Sequence, residues 1–388
     1  MKVLITGANG FIGRNLCGFL RKKSYFVRVA VRSNVRDISG VDEYIQVGDI
    51  NESTDWQQAL EGVDVVVHLA ARVHITRDLV VNSLDAFREV NVLGTERLAR
   101  MAVKAGVGRF VFVSSVKVNG EGTGGRRQRS EVGSQKSEGG GRKIVNRDGW
   151  MNRMDGWMNW MNGWKTEGMD SRSQKAEVGG QESELKEAFS ERSIPDPQDA
   201  YGVSKLEAEN ILKKIADETG LQTVILRLPL VYGLGVKANF KNLIKLAGFG
   251  LPLPFKGIDN QRSFIYLGNL VDAINTCITH PKAAGETFLV SDGQDISTPD
   301  LIRMIASAMD KKPILFSLHP GILKALCKIA GKGKELEKLT GTLLVDSSKI
   351  RNLLSWKPPF TLEEGIRHCC IIATAPDYND LRKITPIK

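Results

Sequence analysis

The sequence has few cysteines, no paired-cysteine motif, no membrane-length apolar run and no block of like charge. Its five cysteines, Cys17, Cys277, Cys327, Cys369 and Cys370, are odd in number and show no C-x-x-C spacing. A disulfide framework and a zinc site are therefore not expected, no metal is called for, and a reducing cytoplasm is the expected location. No apolar stretch reaches bilayer-spanning length and the chain opens directly on a strand-like run, so neither membrane insertion nor a signal peptide is expected. Lys and Arg outnumber Asp and Glu by 54 to 44, a formal net charge of +10, but the cations are scattered or in short groups such as Arg21-Lys22-Lys23. This surplus reads as a solvated surface that favours a small polyanion, with no nucleic-acid partner.

What is present is organised around Met1 to Gly13, MKVLITGANGFIG. A short apolar run, glycines at Gly7, Gly10 and Gly13, and an amphipathic segment follow one another in the order strand, tight turn, helix N-terminus. That order exposes helix-start amides to a pyrophosphate. Gly7 can take the positive-φ turn, Gly10 lets backbone approach phosphate, and Gly13 lets the helix pack closely on the sheet.

Alternating strands and helices follow. Helical spacing of Phe11, Ile12, Leu16, Phe19 and Leu20 and a strand over Tyr25 to Val31 complete a parallel βαβ unit. The tip of that second strand reads Val31-Arg32-Ser33, with Arg36 close behind and no carboxylate. Two cations there suit the 2′-phosphate of NADP as well as a merely solvated loop, so NAD and NADP both stay open. Tyr44 to Val47 form a third strand ending in Asp49 and Ile50, placed to bracket an adenine. Val63 to Leu69 form a fourth, followed by the small residues Ala70 and Ala71; His68 reads as a strand-end structural histidine. Leu84 to Ala105 predict one long helix carrying Asn91, and Arg109 to Ser114 a strand with Ser115 just beyond its tip. Ligands of a doubly wound sheet sit at such tips.

From Glu121 to Lys186 the pattern stops. The stretch is rich in Gly, Ser and Gln and repeats itself, Gly149-Trp150-Met151-Asn152 recurring as Gly156-Trp157-Met158-Asn159. Such low complexity is expected to be a disordered insertion, with a lid or partner-binding loop as the functional alternative. Regular structure resumes at Pro195, and Tyr201 and Lys205 lie four apart on one face of a helix running to about Thr219. The ammonium can then approach the phenol and lower its pKa, making an acid/base for a hydroxyl or carbonyl.

Together these pieces resemble the NAD-dependent epimerase/dehydratase family of extended short-chain dehydrogenases/reductases. The resemblance rests on Thr6-Gly7-Ala8-Asn9-Gly10-Phe11-Ile12-Gly13, Gly48-Asp49-Ile50, His68-Leu69-Ala70-Ala71, Asn91-Val92-Leu93-Gly94-Thr95, Ser114-Ser115, Tyr201-x-x-x-Lys205, Arg227 to Gly233 and Arg262 to Leu270. It implies an α/β fold: a Rossmann-type doubly wound parallel sheet with a smaller C-terminal α/β substrate-binding lobe. The dinucleotide-binding domain would span 1–120 and 187–229, the insertion 121–186, and the substrate lobe mainly 230–388.

The resemblance makes Tyr201 the acid/base, Lys205 its partner and a ribose ligand, and Ser115 the donor orienting a sugar oxygen. It places Gly7, Gly10, Phe11, Ile12 and Gly13 at the pyrophosphate, Asp49 and Ile50 at the adenine, and Leu69, Ala70, Ala71 and Asn91 along the cofactor. Arg262 would hold a nucleotide-sugar diphosphate. Asn239, Phe240 and Phe255 are candidates for nucleotide contacts or ordinary helix and loop residues. The implied activity is at C4 of a UDP-hexose, best read as a UDP-glucose or UDP-N-acetylhexosamine 4-epimerase. A one-way reductase of UDP-4-keto-6-deoxy-N-acetylhexosamines and a non-catalytic dinucleotide sensor are the alternatives; a homodimer is a possible assembly. In the C-terminal part, Thr298 reads as the N-cap of a helix with Pro299 at its first position.

Overall fold

The computed structural model describes residues 1–33, 37–73, 84–123, 187–236, 239–248, 252–329 and 333–373. Arg36 and, from 124 to 186, the stretch expected to be a disordered insertion lie outside the described residues. The chain before and after that stretch forms one compact unit.

Lys2–Thr6 (β1), Phe11–Lys22 (α1), Phe26–Val31 (β2) and Glu43–Gln46 (β3) come first, then Gln57–Leu60 (α2) and Val65–His68 (β4). Leu84–Arg88 (α3) and Gly94–Lys104 (α4) flank a π turn at Glu89–Leu93, and Arg109–Ser115 (β5) follows. After the undescribed stretch come Ala200–Thr219 (α5), Gln222–Leu228 (β6) and Leu230–Tyr232 (β7). The remainder runs Asn239–Gly248 (α6), Phe264–Tyr266 (β8), Leu267–Thr279 (α7), Thr287–Leu289 (β9), Thr298–Ser307 (α8), Pro320–Ile329 (α9), Gly333–Thr340 (α10), Ser348–Leu354 (α11) and Leu362–Ala373 (α12).

Seven strands form one sheet in the order β3-β2-β1-β4-β5-β6-β9. Every neighbouring pair is parallel. The order reverses between β1 and β4, so their carboxyl ends open the crevice where a doubly wound sheet takes its ligand. Strand alternation divides the core. Val3, Ile5, Val27 and Val29 join Leu16 and Leu20 of α1 and Leu270 and Ile274 of α7 on one face. Leu4, Val66, Phe110 and Phe112 join Leu98 of α4 and Leu212 and Ile215 of α5 on the other. A third cluster, including Leu243, Phe264, Ile302, Ile305 and Ile366, gives the smaller C-terminal lobe its own core, alongside the two-stranded β7-β8 sheet.

Two local readings change. The single helix expected over Leu84 to Ala105 is interrupted by the π turn, inside which Asn91 O accepts the Thr95 hydroxyl at 2.7 Å. Such turns concentrate at functional sites. Helix α8 is capped one residue earlier than expected, by Ser297, whose Oγ accepts from Asp300 N at 3.2 Å.

The chain on both sides of 124–186 is tied to one segment near residue 344. Thr123 N donates to Thr342 O and Leu344 N to Thr123 Oγ1; from the other side Phe189 N donates to Leu344 O and Asp346 N to Phe189 O. Among the described residues no helix is long and apolar enough to cross a membrane.

Candidate active site

The glycine turn is built to admit an anion. Gly7 has φ +68°, and a Cβ there would lie 2.7 Å from Ala70 N; one on Gly13 would lie 2.4 Å from Gly7 O. Those contacts bring the turn, the start of α1 and the β4 tip together. Helix α1 has Gly10 as N-cap, no side chain capping it, and no acid in its first turn. Its amides and dipole thus point into the crevice uncompensated, which fits a dinucleotide pyrophosphate between Gly10 and Gly13. Leu69, Ala70 and Ala71 are half-buried along the same edge.

At the tip of β2, Arg32 Nε pairs with Asp49 Oδ1 at 2.7 Å, both side chains mostly exposed (77% and 73%). The two residues assigned to the adenosine end therefore meet each other. Ile50 packs on α4 so closely that a Cβ at Gly94 would come 2.5 Å from its Cγ2.

Ser115 ends β5 and starts a short 3-10 turn, Val116–Val118, where its Oγ accepts from Lys117 N at 3.3 Å. Tyr201 and Lys205 lie on α5, whose N-cap Asp199 accepts from Gly202 N at 2.7 Å and pairs with the Lys117 ammonium. That ion pair joins the turn carrying Ser115 to the first turn of the helix carrying Tyr201 and Lys205. Asp199 was not singled out in the sequence, although an Asp just ahead of a helical run is an N-cap pattern. The Tyr201 ring meets Phe87 of α3 edge-on at 6.4 Å.

The electrostatics depart from expectation. Burial, with the Asp199 charge added, pushes the Tyr201 phenol up to about 12, and Lys205 does not act to lower it. The reason is where the ammonium sits: Lys205 Nζ lies 3.8 Å from the Phe112 ring centroid. Burial pulls it down to about 7 from its ordinary 10.5, with Glu209 opposing. Between those values the unfolded chain holds a proton that the folded chain lacks. Stability therefore rises with pH across that window, and the penalty for burying the charge is complete below it. Lys205→Met is expected to raise the melting temperature at about pH 6 and to lose much of that gain by about pH 10. Scanning calorimetry across the range checks this; a difference that does not vary with pH would contradict it.

Behind the catalytic helix is a buried ion-paired cluster. Glu209, wholly inaccessible, accepts Arg227 NH2 at 2.7 Å and the Ser114 hydroxyl at 2.5 Å, and Arg227 NH1 donates to Asn119 Oδ1 at 3.2 Å. It ties β5, β6, α5 and the Ser115 turn together. Glu209 carries no motif of its own, and the one sequence signal for it is its place one turn after Lys205, on the same helical face.

Other candidates are placed differently. Asn91 is buried, with its side chain engaged by Arg72 N and O and by Ser204 Oγ, so it supports the crevice and is not presented to a ligand. Phe240 and Phe255 are core residues of the C-terminal lobe, Phe240 lying 5.2 Å from the Tyr232 ring; packing accounts for both. Asn239 opens α6, and its side chain lies outside the described ones. Arg262 stands just before β8, its backbone bridged to Ile296 and Leu343 and its NH1 donating to Gly341 O at 2.9 Å. Burial pulls its guanidinium below its ordinary value, and no carboxylate among the described residues pairs with it. Among those residues no group of three or more His, Cys, Asp or Glu could hold a metal ion.

The NAD dependent epimerase/dehydratase family model matches residues 3–138 and 173–291. The chain belongs to this family. It is 40% identical over 367 residues to a UDP-glucose 4-epimerase of Vibrio cholerae, covering 94% of this chain and 93% of the relative. The fold matches UDP-N-acetylglucosamine 4-epimerase from Bacillus cereus, with TM-score 0.64, 18% identity, and 97% and 98% of the two chains covered. It also matches UDP-glucuronic acid 4-epimerase from the same organism, solved with UDP-glucuronic acid and NAD, with TM-score 0.62, 20% identity, and 96% and 98% covered. This epimerase-family protein is accordingly an enzyme, with the seven-stranded parallel sheet of its structural neighbours.

Proposed function

We propose that this enzyme is a UDP-hexose 4-epimerase. The observation that carries the reading is the ion pair that ties the Ser115 turn to the helix of Tyr201 and Lys205, together with an uncapped glycine turn, in a chain 40% identical to a UDP-glucose 4-epimerase. In this reading the dinucleotide-binding part spans 1–120 and 187–229, the substrate lobe is mainly 230–388, and 121–186 is an insertion between them.

A bound nicotinamide dinucleotide supplies a reversible acceptor for the hydrogen on C4 of the sugar. The chain's own residues handle the oxygen and its proton. Ser115 Oγ donates to the C4 oxygen and fixes it; Tyr201 Oη takes the hydroxyl proton and later returns it to the same oxygen. In the free protein Tyr201 is a firmly held proton donor. Its conversion into a base requires positive charge near its oxygen, and Lys205, one turn along the same helix, is this chain's own source. Arg262, partly desolvated and without a carboxylate partner among the described residues, suits the diphosphate of the nucleotide sugar. Gly7 to Gly13 and Leu69 to Ala71 line the dinucleotide, with Arg32, Asp49 and Ile50 at its adenosine end.

The test is mass spectrometry of the dinucleotide that copurifies, followed by turnover with UDP-glucose, UDP-N-acetylglucosamine and a UDP-4-keto sugar plus NADPH. Retained dinucleotide with interconversion of C4 epimers and no consumption of added reductant is the expected result. Stoichiometric oxidation of NADPH by the keto sugar, without epimer exchange, would replace the epimerase with a reductase.

A further inference from the structure

His68 is wholly buried at the β4 tip and lies between two hydroxyls: Thr6 Oγ1 is 2.6 Å from Nδ1 and Thr95 Oγ1 is 3.1 Å from Nε2. The hydrogens of this cluster can be assigned one by one. Thr95 donates its only hydroxyl hydrogen to Asn91 O at 2.7 Å, so toward His68 it must accept, and Nε2 carries the ring hydrogen. Burial and the nearby Lys205 charge hold His68 far down, at about 3, so the ring is neutral and Nδ1 is bare. Nδ1 therefore accepts from Thr6, whose oxygen in turn accepts from Ala70 N at 3.2 Å. The Asn91 side chain starts a second run: Asn91 Nδ2 donates to Ser204 Oγ at 3.0 Å, and Ser204 Oγ donates to Tyr201 O at 2.8 Å. The ring also stacks on Phe112, at 5.8 Å and 19°, and the Lys205 ammonium lies 3.8 Å from the centroid of the same Phe112 ring.

We propose that His68 is a positioning residue that couples the dinucleotide-binding turn to the helix bearing Tyr201 and Lys205. It does so through a connected chain of residues: hydrogen bonds run from Ala70 and Thr6 through His68 and Thr95 to the Asn91 carbonyl, and a second run leads from the Asn91 side-chain amide through Ser204 to the Tyr201 carbonyl. The two ends of that chain are the parts of the fold that a bound dinucleotide touches: the β1 and β4 tips beside Gly7, and the first turn of α5. A neutral imidazole is the side chain that accepts at one end and donates at the other while presenting a flat face to Phe112. The inference rests on the proposed dinucleotide site but not on the identity of the sugar.

His68→Phe keeps a ring in place and removes both hydrogen bonds; His68→Gln restores an acceptor and a donor without the ring; Thr95→Val cuts the same chain one link away. Two quantities are read on the full-length protein stripped of nucleotide: the equilibrium Kd for NAD+ or NADP+, whichever copurifies, and hydrogen exchange of peptides covering residues 200–206 with and without it. In the unsubstituted protein the dinucleotide is expected to slow exchange in that segment. His68→Phe and Thr95→Val are each expected to weaken binding about tenfold, as for a hydrogen-bonding group left buried without its partner, and to abolish most of that slowing, with His68→Gln recovering part of both. Either readout at its unsubstituted value in His68→Phe, or in Thr95→Val should the first variant not fold, overturns the coupling. Neither readout involves a sugar, so a wrong substrate assignment leaves the result standing.

Discussion

Tyr201→Phe is expected to lower turnover by roughly a hundred- to ten-thousand-fold, the range typical of losing a positioned acid/base, with little change in melting temperature or dinucleotide retention. The substitution removes one oxygen and leaves the ring that meets Phe87. The N-cap at Asp199 and the link from Ser204 to the Tyr201 carbonyl do not involve the phenol, so helix α5 keeps its placement. The loss should fall on kcat, because the proton transfer is made during reaction and contributes little to holding the nucleotide sugar. Steady-state kinetics on the epimerised sugar, with calorimetry as the control for folding, decide the matter. Near-normal kcat in a folded Tyr201→Phe protein would remove Tyr201 from the chemistry.

The second large effect is on stability. Glu209→Leu is expected to cost about 3–5 kcal/mol, the usual consequence of deleting one partner of a buried ion pair. Arg227 would then be left charged at 4% exposure, with Asn119 Oδ1 as its remaining described side-chain partner, and the Ser114 hydroxyl would lose its acceptor. Replacing both ions, Glu209→Leu with Arg227→Met, should recover much of that loss, since an apolar pair of similar volume leaves no buried charge. Urea unfolding of the single and double variants provides the comparison. A single substitution costing no more than the double one would mean that the ion pair is not what holds β5, β6 and α5 in register.

How far these features could be read in advance depended on whether they are local in the chain. The glycine turn, the parallel strands and the Tyr201-Lys205 pair are set by spacing within a few residues, and the structure shows the elements where periodicity placed them. The π turn was not legible, because the apolar spacing runs through Glu89–Leu93 without a break. Glu209 and Arg227 were equally obscure as a pair: residues eighteen apart become partners only when helix α5 packs against β6. Phe240 and Phe255, open by sequence between nucleotide contacts and ordinary packing residues, show the converse ambiguity. An aromatic near a motif looks like a ligand contact until its neighbours are known, and here those neighbours form the core of the C-terminal lobe. Helical spacing likewise reports that Lys205 is near Tyr201 but not that its ammonium lies 3.8 Å from the Phe112 ring centroid.

Thr123 and Phe189 both end on the segment around Leu344, one leaving it and the other returning. The two ends of the intervening chain are thereby fixed by hydrogen bonds that belong to neither Ser115 nor Tyr201. Closing a longer loop between fixed ends costs only a logarithmic increment of chain entropy, about 0.6 kcal/mol for each doubling. Holding the ends of residues 124–186 at the Leu344 segment thus leaves the placement of Ser115 and Tyr201 to contacts of their own, the Lys117–Asp199 ion pair among them.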